Sequence, residues 1–89
     1  MTKLEMWQLI FEDDKKTLKH TNIIEELYKE LTWKETHKLY VVLNWFRVHD
    51  KHRFLQYRSM VFYAGDIRGS YDVVIRRYNK EMKMRGKRL

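Results

Sequence analysis

The chain has 89 residues, a formal net charge of +7, no cysteine and no proline. This length fits a single domain, and the missing cysteines exclude disulfides, thiolate metal sites and cysteine nucleophiles. No run of 18 apolar residues is present, so we expect no membrane-spanning helix and, together with the absent disulfides, a cytoplasmic location.

Capping signals divide the first half of the chain into predicted helices. Thr2, Asn22 and Thr32 each precede a glutamate by three residues, as in a capping box, where the cap residue and the acid satisfy backbone N–H groups reciprocally. Apolar residues follow each signal at helical spacing. The predicted helices are 3–18, 23–31 and 33–49. The third would place on one apolar stripe Trp33, Leu39, Val42, Leu43 and Phe46.

The middle of the chain fits two kinds of structure. Residues 39–48 are apolar almost all round, and their β-branched and aromatic side chains also favour a strand. Periodicity does not separate a buried helix from a buried strand here, and residues 54–63 fit neither period. We therefore predict a mainly α, compact helical domain over residues 1–89, with a short β-hairpin within 39–63 (an α+β fold) as the alternative.

The last predicted element is a basic amphipathic helix. A loop of sequence AGDIRG, residues 64–69, precedes it. Ser70 is a typical N-cap residue and Gly86 a typical stop, so we predict a helix over residues 71–85. One face of this helix is apolar and the other is rich in Lys and Arg, and residues 84–89 form a basic tail.

Positive charge is concentrated in the C-terminal two-thirds of the chain. Residues 1–32 hold five Lys and seven acids, whereas residues 33–89 hold 14 Lys and Arg and five acids. Such a field attracts phosphate-bearing partners. His49 and His52 match no specific metal-ligand spacing, even with Glu35 nearby in sequence, and we interpret them as surface imidazoles. We predict a binding protein and not an enzyme, with no catalytic residue, metal or cofactor.

Basic residues interleaved with aromatic residues favour RNA over DNA as the partner, because flat rings stack on unpaired bases while cations hold phosphates. The predicted phosphate contacts are Arg53, Arg58, Arg68, Arg76, Arg77, Lys80, Lys83, Arg85, Lys87 and Arg88. The predicted stacking residues are Tyr57 and Tyr63, for which the hydrophobic core is the competing location.

Two other binding functions stay open. Residues 24–44 have the cadence of a DNA-binding helix-turn-helix, although Tyr28 and Thr32 stand where that motif prefers a small residue and a glycine. Alternatively, the basic surface docks on an acidic protein.

The chain as a whole has a recognisable composition. It is short, lacks Cys and Pro, is rich in Lys, Tyr and Trp, and ends in KMRGKRL. In composition and length the chain resembles the small early proteins with which T4-like phages disable host factors. Some of these bind RNA, and one kind inhibits the endoribonuclease toxin of a toxin–antitoxin system in an RNA-dependent way. The resemblance concerns composition and length and assigns no residue roles. It implies an anti-defence inhibitor whose bound RNA serves to block or bridge an RNA-associated host enzyme.

Overall fold

The described residues of the computed structural model, 3–11, 17–63 and 65–87, form a mainly α protein. The helices are α1 (Lys3–Gln8), α2 (Thr17–Glu30), α3 (Trp33–His49), α4 (Lys51–Tyr63) and α5 (Ile67–Lys87). The predicted fold class is confirmed. The hairpin alternative within 39–63 is wrong, because α3 and α4 occupy that stretch. Across the described ranges, none of the helices is long and apolar enough to cross a membrane.

All five helices contribute to one hydrophobic core, and α3 lies at its centre, in contact with α2, α4 and α5. Trp7 of α1 is fully buried and meets the rings of Tyr40 and Phe62 edge to face, with centroids 5.5 and 5.8 Å apart. Phe46 meets Tyr57 of α4 in the same way at 5.2 Å. Because edge-to-face aromatic pairs add to the gain from burial, a small core of this kind can hold short helices together.

The first helix ends much earlier than predicted. Trp7, Ile10 and Phe11 are all buried, and their i, i+3, i+4 spacing also fits one face of a helix, so the apolar pattern alone does not show where α1 ends. The chain leaves the helix through two tight turns, in which the N–H of Ile10 donates to the carbonyl of Trp7 (3.0 Å) and that of Phe11 to the carbonyl of Gln8 (3.1 Å). The predicted helix over 3–18 is therefore wrong.

Of the three predicted capping boxes, the one before α3 is confirmed. The Thr32 hydroxyl accepts from the N–H of Glu35 (3.1 Å), and the Glu35 carboxylate accepts from the N–H of Thr32 (2.9 Å). Asn22 is not a cap, because it lies exposed inside α2, which begins earlier than the predicted 23–31. Thr2 lies outside the described residues.

Asp50 separates α3 from α4 where the alternative placed a hairpin turn. Its N–H donates to the carbonyl of Phe46 (2.7 Å) and ends α3. Its carboxylate accepts from the N–H of Arg53 (3.2 Å), as the cap of a helix does. The predicted bounds 33–49 of α3 are confirmed, and burial of its β-branched and aromatic residues outweighs their strand propensity.

The N-terminus of α5 lies four residues before the predicted one. Asp66, not Ser70, is the cap, because its carboxylate accepts from the N–H of Gly69 (3.0 Å). Ser70 is buried inside the helix, where its hydroxyl donates to the carbonyl of Met60 (3.0 Å) and ties α5 to α4.

The C-terminus of α5 extends past the predicted 71–85. Gly86 does not stop the helix, and residues 84–87, predicted as part of a tail, form its last turn. Residues 88 and 89 lie outside the described part of the chain.

Two glycines near the ends of α5 give a matched test of this geometry. Gly65 has φ +81°, which side-chain-bearing residues adopt at a cost, whereas a Cβ on the helical Gly86 would meet open space. We expect Gly65→Ala to lower the free energy of unfolding by about 1–2 kcal/mol and Gly86→Ala to raise it by up to about 1 kcal/mol. Urea unfolding measures both, and a destabilising Gly86→Ala would contradict the extent of α5.

Candidate nucleic-acid interface

Two of the predicted phosphate contacts are ion-paired within their own helical turn. Arg53 Nε lies 3.1 Å from the carboxylate of Asp50, and Arg77 Nη2 lies 2.9 Å from that of Glu81. Each pair is partly exposed, so it adds little to stability. Each does compensate the positive charge locally, which weakens both residues as phosphate contacts.

Arg58 holds the turn after α1 against α4. Its Nη1 donates to the carbonyl of Ile10 (3.1 Å), and its guanidinium lies 5.3 Å from the ring centroid of Phe54. The side chain is half-buried. A guanidinium placed in this way satisfies a backbone carbonyl of the turn that follows α1, so the position of Arg58 is structural.

Arg68 joins the start of α5 to the start of α3. Its guanidinium binds both carboxylate oxygens of Glu35, with Nη2 3.0 Å from Oε1. This bidentate hydrogen bond, together with the bond from the N–H of Thr32, lowers the pKa of Glu35 to about 2. Predicted to contact phosphate, Arg68 instead connects two helices through the capping box of α3.

The predicted stacking tyrosines occupy different environments. Tyr57 is only 7% exposed and packs on Phe46, so its placement in the core contradicts the predicted stacking role. Tyr63 is about half-exposed at the end of α4 but makes a contact within the chain.

Three predicted cations on α5 form one exposed row. Arg76, Lys80 and Lys83 follow each other at intervals of four and three residues, which places them on one face of the helix. Among the described residues, no carboxylate pairs with any of them. We call this row the α5 basic face. Lys87 continues the spacing, but its side chain and the whole of Arg88 lie outside the described part of the chain.

Arg85 connects the end of α5 to α3. Its guanidinium lies 4.9 Å from the ring centroid of Trp45, whose ring also meets Tyr78 edge to face at 5.7 Å. The two helices therefore touch near their ends here and near their starts at Arg68 and Glu35. They run side by side in the same direction.

Of the predicted phosphate contacts, the described ones that remain unpaired thus form only the α5 basic face. In α2, the Glu26 carboxylate lies 3.9 Å from Lys29 of the same helix. The carboxylates that pair with Arg53, Arg68 and Arg77 come from Asp50, Glu35 and Glu81, all beyond residue 32.

The histidines and Glu35 do not form a site. Glu35 is committed to Arg68, and the ring of His49 packs on Trp45 with centroids 4.7 Å apart. In the described segments, no group of three His, Asp or Glu side chains is placed to hold a metal ion.

A second surface was missed at the sequence level. Trp33 was assigned to the apolar stripe of α3, yet it is 66% exposed and stacks on His37, with centroids 5.9 Å apart and planes at 12°. Lys34 and Lys38, also exposed, lie beside this pair. Helical spacing could have predicted this exposure, because Trp33 lies about 120° round the helix from the buried Leu39.

Comparison with protein-family models, with curated proteins and with solved structures gives no significant match. The function of the chain is therefore inferred from these surfaces alone. In the part of the structure that is described together with its side chains, the α5 basic face is the longest row of unpaired cations on one helix, with three members.

The pH dependence of stability tests the link at Glu35. The folded pKa of Glu35, about 2, lies below the ordinary value of 4.5 for a glutamate. The stabilisation from its ionised carboxylate is therefore complete above pH 4.5 and is lost as the pH falls toward 2. We expect Glu35→Gln to lower Tm at pH 7, and the difference from the parent to shrink between pH 4.5 and 2. Thermal unfolding followed by circular dichroism measures this.

Glu26→Gln is the matched control, because it removes an exposed carboxylate that makes only a 3.9 Å surface pair. It should shift Tm less than Glu35→Gln at pH 7. A Tm difference for Glu35→Gln that stays constant down to pH 2 would contradict the proposed role of the ionised carboxylate.

Proposed function

We propose that this protein binds nucleic acid through the α5 basic face, with RNA favoured over DNA, and that it acts by binding and not by catalysis. The observation that carries the proposal is the row formed by Arg76, Lys80 and Lys83, three exposed cations without a carboxylate partner among the described residues. Unpaired cations are the ones that gain from meeting phosphates, because each contact releases condensed counterions.

The shape of this row favours a single strand. Successive charges lie about 4.5–6 Å apart along the helix axis, since three residues rise about 4.5 Å and four rise about 6 Å. A single file of this kind follows one phosphate backbone and does not span the two backbones of a duplex. Single strands in cells are chiefly RNA, which supports the preference for RNA.

The proposed biological output is inhibition or bridging of an RNA-associated host enzyme, such as a toxin endoribonuclease, with the RNA as part of the assembly. The small size supports this, because 89 residues leave little surface for a catalytic cleft beside a binding face. Nuclease treatment should abolish co-purification of such an enzyme with the tagged protein. Unchanged recovery after nuclease would contradict RNA bridging and favour direct docking on an acidic protein.

A helix-turn-helix DNA-binding regulator is the second candidate. Only Leu31 and Thr32 join α2 to α3, and the first turns of α3 expose Lys34 and Lys38, where a recognition helix contacts base edges. Duplex DNA of one sequence, bound more tightly than any single-stranded probe, would establish this function in place of the first.

Neutralising the α5 basic face tests the leading proposal. Glutamine is a good helix former, so Arg76→Gln, Lys80→Gln and Lys83→Gln combined should leave α5 intact. For a single-stranded RNA, losing three contacts should reduce the slope of log affinity against log salt by about 2 and weaken binding roughly 50-fold at about 0.15 M salt. Fluorescence anisotropy across a salt series measures both quantities.

A second triple variant controls for net charge. Lys29→Gln, Lys51→Gln and Arg53→Gln combined remove the same charge from α2 and α4, including the ion-paired Arg53. We expect this variant to bind within a few-fold of the parent. Equal losses in the two triple variants would mean that total charge, and not the α5 basic face, attracts the polymer.

A further inference from the structure

The most exposed aromatic ring of the described residues belongs to Trp33, at the first position of α3. His37, one turn later, stacks on it nearly parallel, at 12° between planes. The histidine covers one face of the indole, and an exposed fraction of 66% leaves the other face open to solvent. Exposing a large apolar ring to water is unfavourable. A ring exposed in this way is available to stack on a planar ligand.

Two lysines lie between this ring pair and α5. Lys34 and Lys38 follow the two rings by one residue each, so they form a parallel row about 100° further round the helix. Glu35 and Trp45 both contact α5 and so mark the side of α3 that faces it. Viewed down the helix axis, Lys38 lies between these two residues. The lysine row thus borders α5.

The ring pair stands on a rigid base. The capping box fixes the backbone on both sides of Trp33, through the bonds between Thr32 and Glu35. Arg68 then holds that carboxylate against α5. A surface held in this way binds without first having to be ordered, which lowers the entropic cost of binding.

We infer that the Trp33/His37 pair is a stacking site for an unpaired base of single-stranded nucleic acid, whose backbone crosses Lys34 and Lys38 toward the α5 basic face. This rests on the proposed function and names its substrate class. Stacking on a ring is open to every base, but only where the base is unpaired. Because α3 and α5 run in the same direction and Glu35 contacts Arg68, positions along the two helices can be compared from that contact. On this basis the ring pair and Lys83 lie about 25 Å apart along the helix axes. Several nucleotides cover such a distance.

The charge of the surroundings argues against an apolar protein partner for this ring. Docking an apolar helix on Trp33 would also bury the ammonium groups of Lys34 and Lys38, and burying an unpaired charge is costly. A phosphate backbone supplies the matching charge and leaves both groups solvated.

Tryptophan fluorescence separates this site from the rest of the chain. Trp7 is fully buried and Trp45 lies partly buried beneath Arg85, whereas Trp33 is mostly exposed. We expect a single-stranded RNA of about 12 nucleotides to quench the emission of the parent, because a base stacks directly on the Trp33 indole. Trp33→Phe should lose most of that quenching, and a duplex of the same length should quench neither protein.

Affinity gives the second measurement. Trp33→Leu keeps an apolar side chain but removes the ring, and it should weaken single-stranded RNA binding roughly 5- to 150-fold. Binding of duplex RNA should change less than about twofold, because it does not use the stacking site. Trp33→Phe keeps a smaller ring and should bind single strands with intermediate affinity.

Val48→Ala is the matched control, because Val48 is 65% exposed on the same helix, far from the ring pair. It should bind like the parent. Unfolding curves of all variants should overlay that of the parent, since neither side chain belongs to the core.

Each outcome of these measurements decides the matter. Single-strand affinity of Trp33→Leu equal to that of the parent overturns the stacking site, while a loss in the α5 triple variant still upholds the proposed function. Equal losses of Trp33→Leu on single strands and duplexes also overturn the stacking site. A parent that binds no RNA and no DNA at low salt overturns both.

Discussion

The carboxylate of Glu35 fixes the relation between α3 and α5, and both candidate surfaces depend on that relation. It accepts the N–H of Thr32, which defines where α3 begins, and it receives the guanidinium of Arg68, which holds α5 alongside. One group therefore sets both a helix start and a helix–helix contact. Because α3 begins where it does, Trp33 lies in its first turn on the side away from Leu39, and the basic face of α5 lies at a fixed distance from it.

Arginines and lysines make different contacts in this structure, and this explains why the α5 basic face is smaller than the net charge of +7 suggests. Arg53, Arg58, Arg68 and Arg77 each bind a carboxylate or a backbone carbonyl of the chain itself. A guanidinium offers five donors in a rigid fork, which suits such structural contacts. The described lysine side chains make far fewer contacts of this kind within the chain. A charge total counts both kinds alike, whereas binding of a polyanion depends on the cations that lack a partner.

The helical fold, the bounds of α3 and its capping box were predictable, because short-range spacing and cap residues determine them. The start of α5 was not. Ser70 and Asp66 are both good caps, and the hydrogen bond from Ser70 to the carbonyl of Met60, ten residues earlier, places Ser70 inside the helix. The contact between Arg68 and Glu35 spans 33 residues, and no local pattern reveals it. The candidate site was therefore predictable only in part. The unpaired cations of α5 were among the chosen residues, and helical spacing signals the local pairs of Arg53 with Asp50 and of Arg77 with Glu81. The partners of Arg58 and Arg68 lie 48 and 33 residues away and have no local signal.

The two surfaces would contribute different physical terms to one binding event. Contacts between α5 and phosphates weaken as salt rises and carry no preference among bases. Stacking on Trp33 responds little to salt and requires an unpaired base. The bidentate link between Glu35 and Arg68 holds the two surfaces at one spacing, so a strand engaged at the first meets the second without further ordering of the protein. Under the proposed function, selectivity for single strands would come from stacking on Trp33. Glu35 and Arg68 would contribute by fixing the distance between the two exposed faces, without touching the ligand.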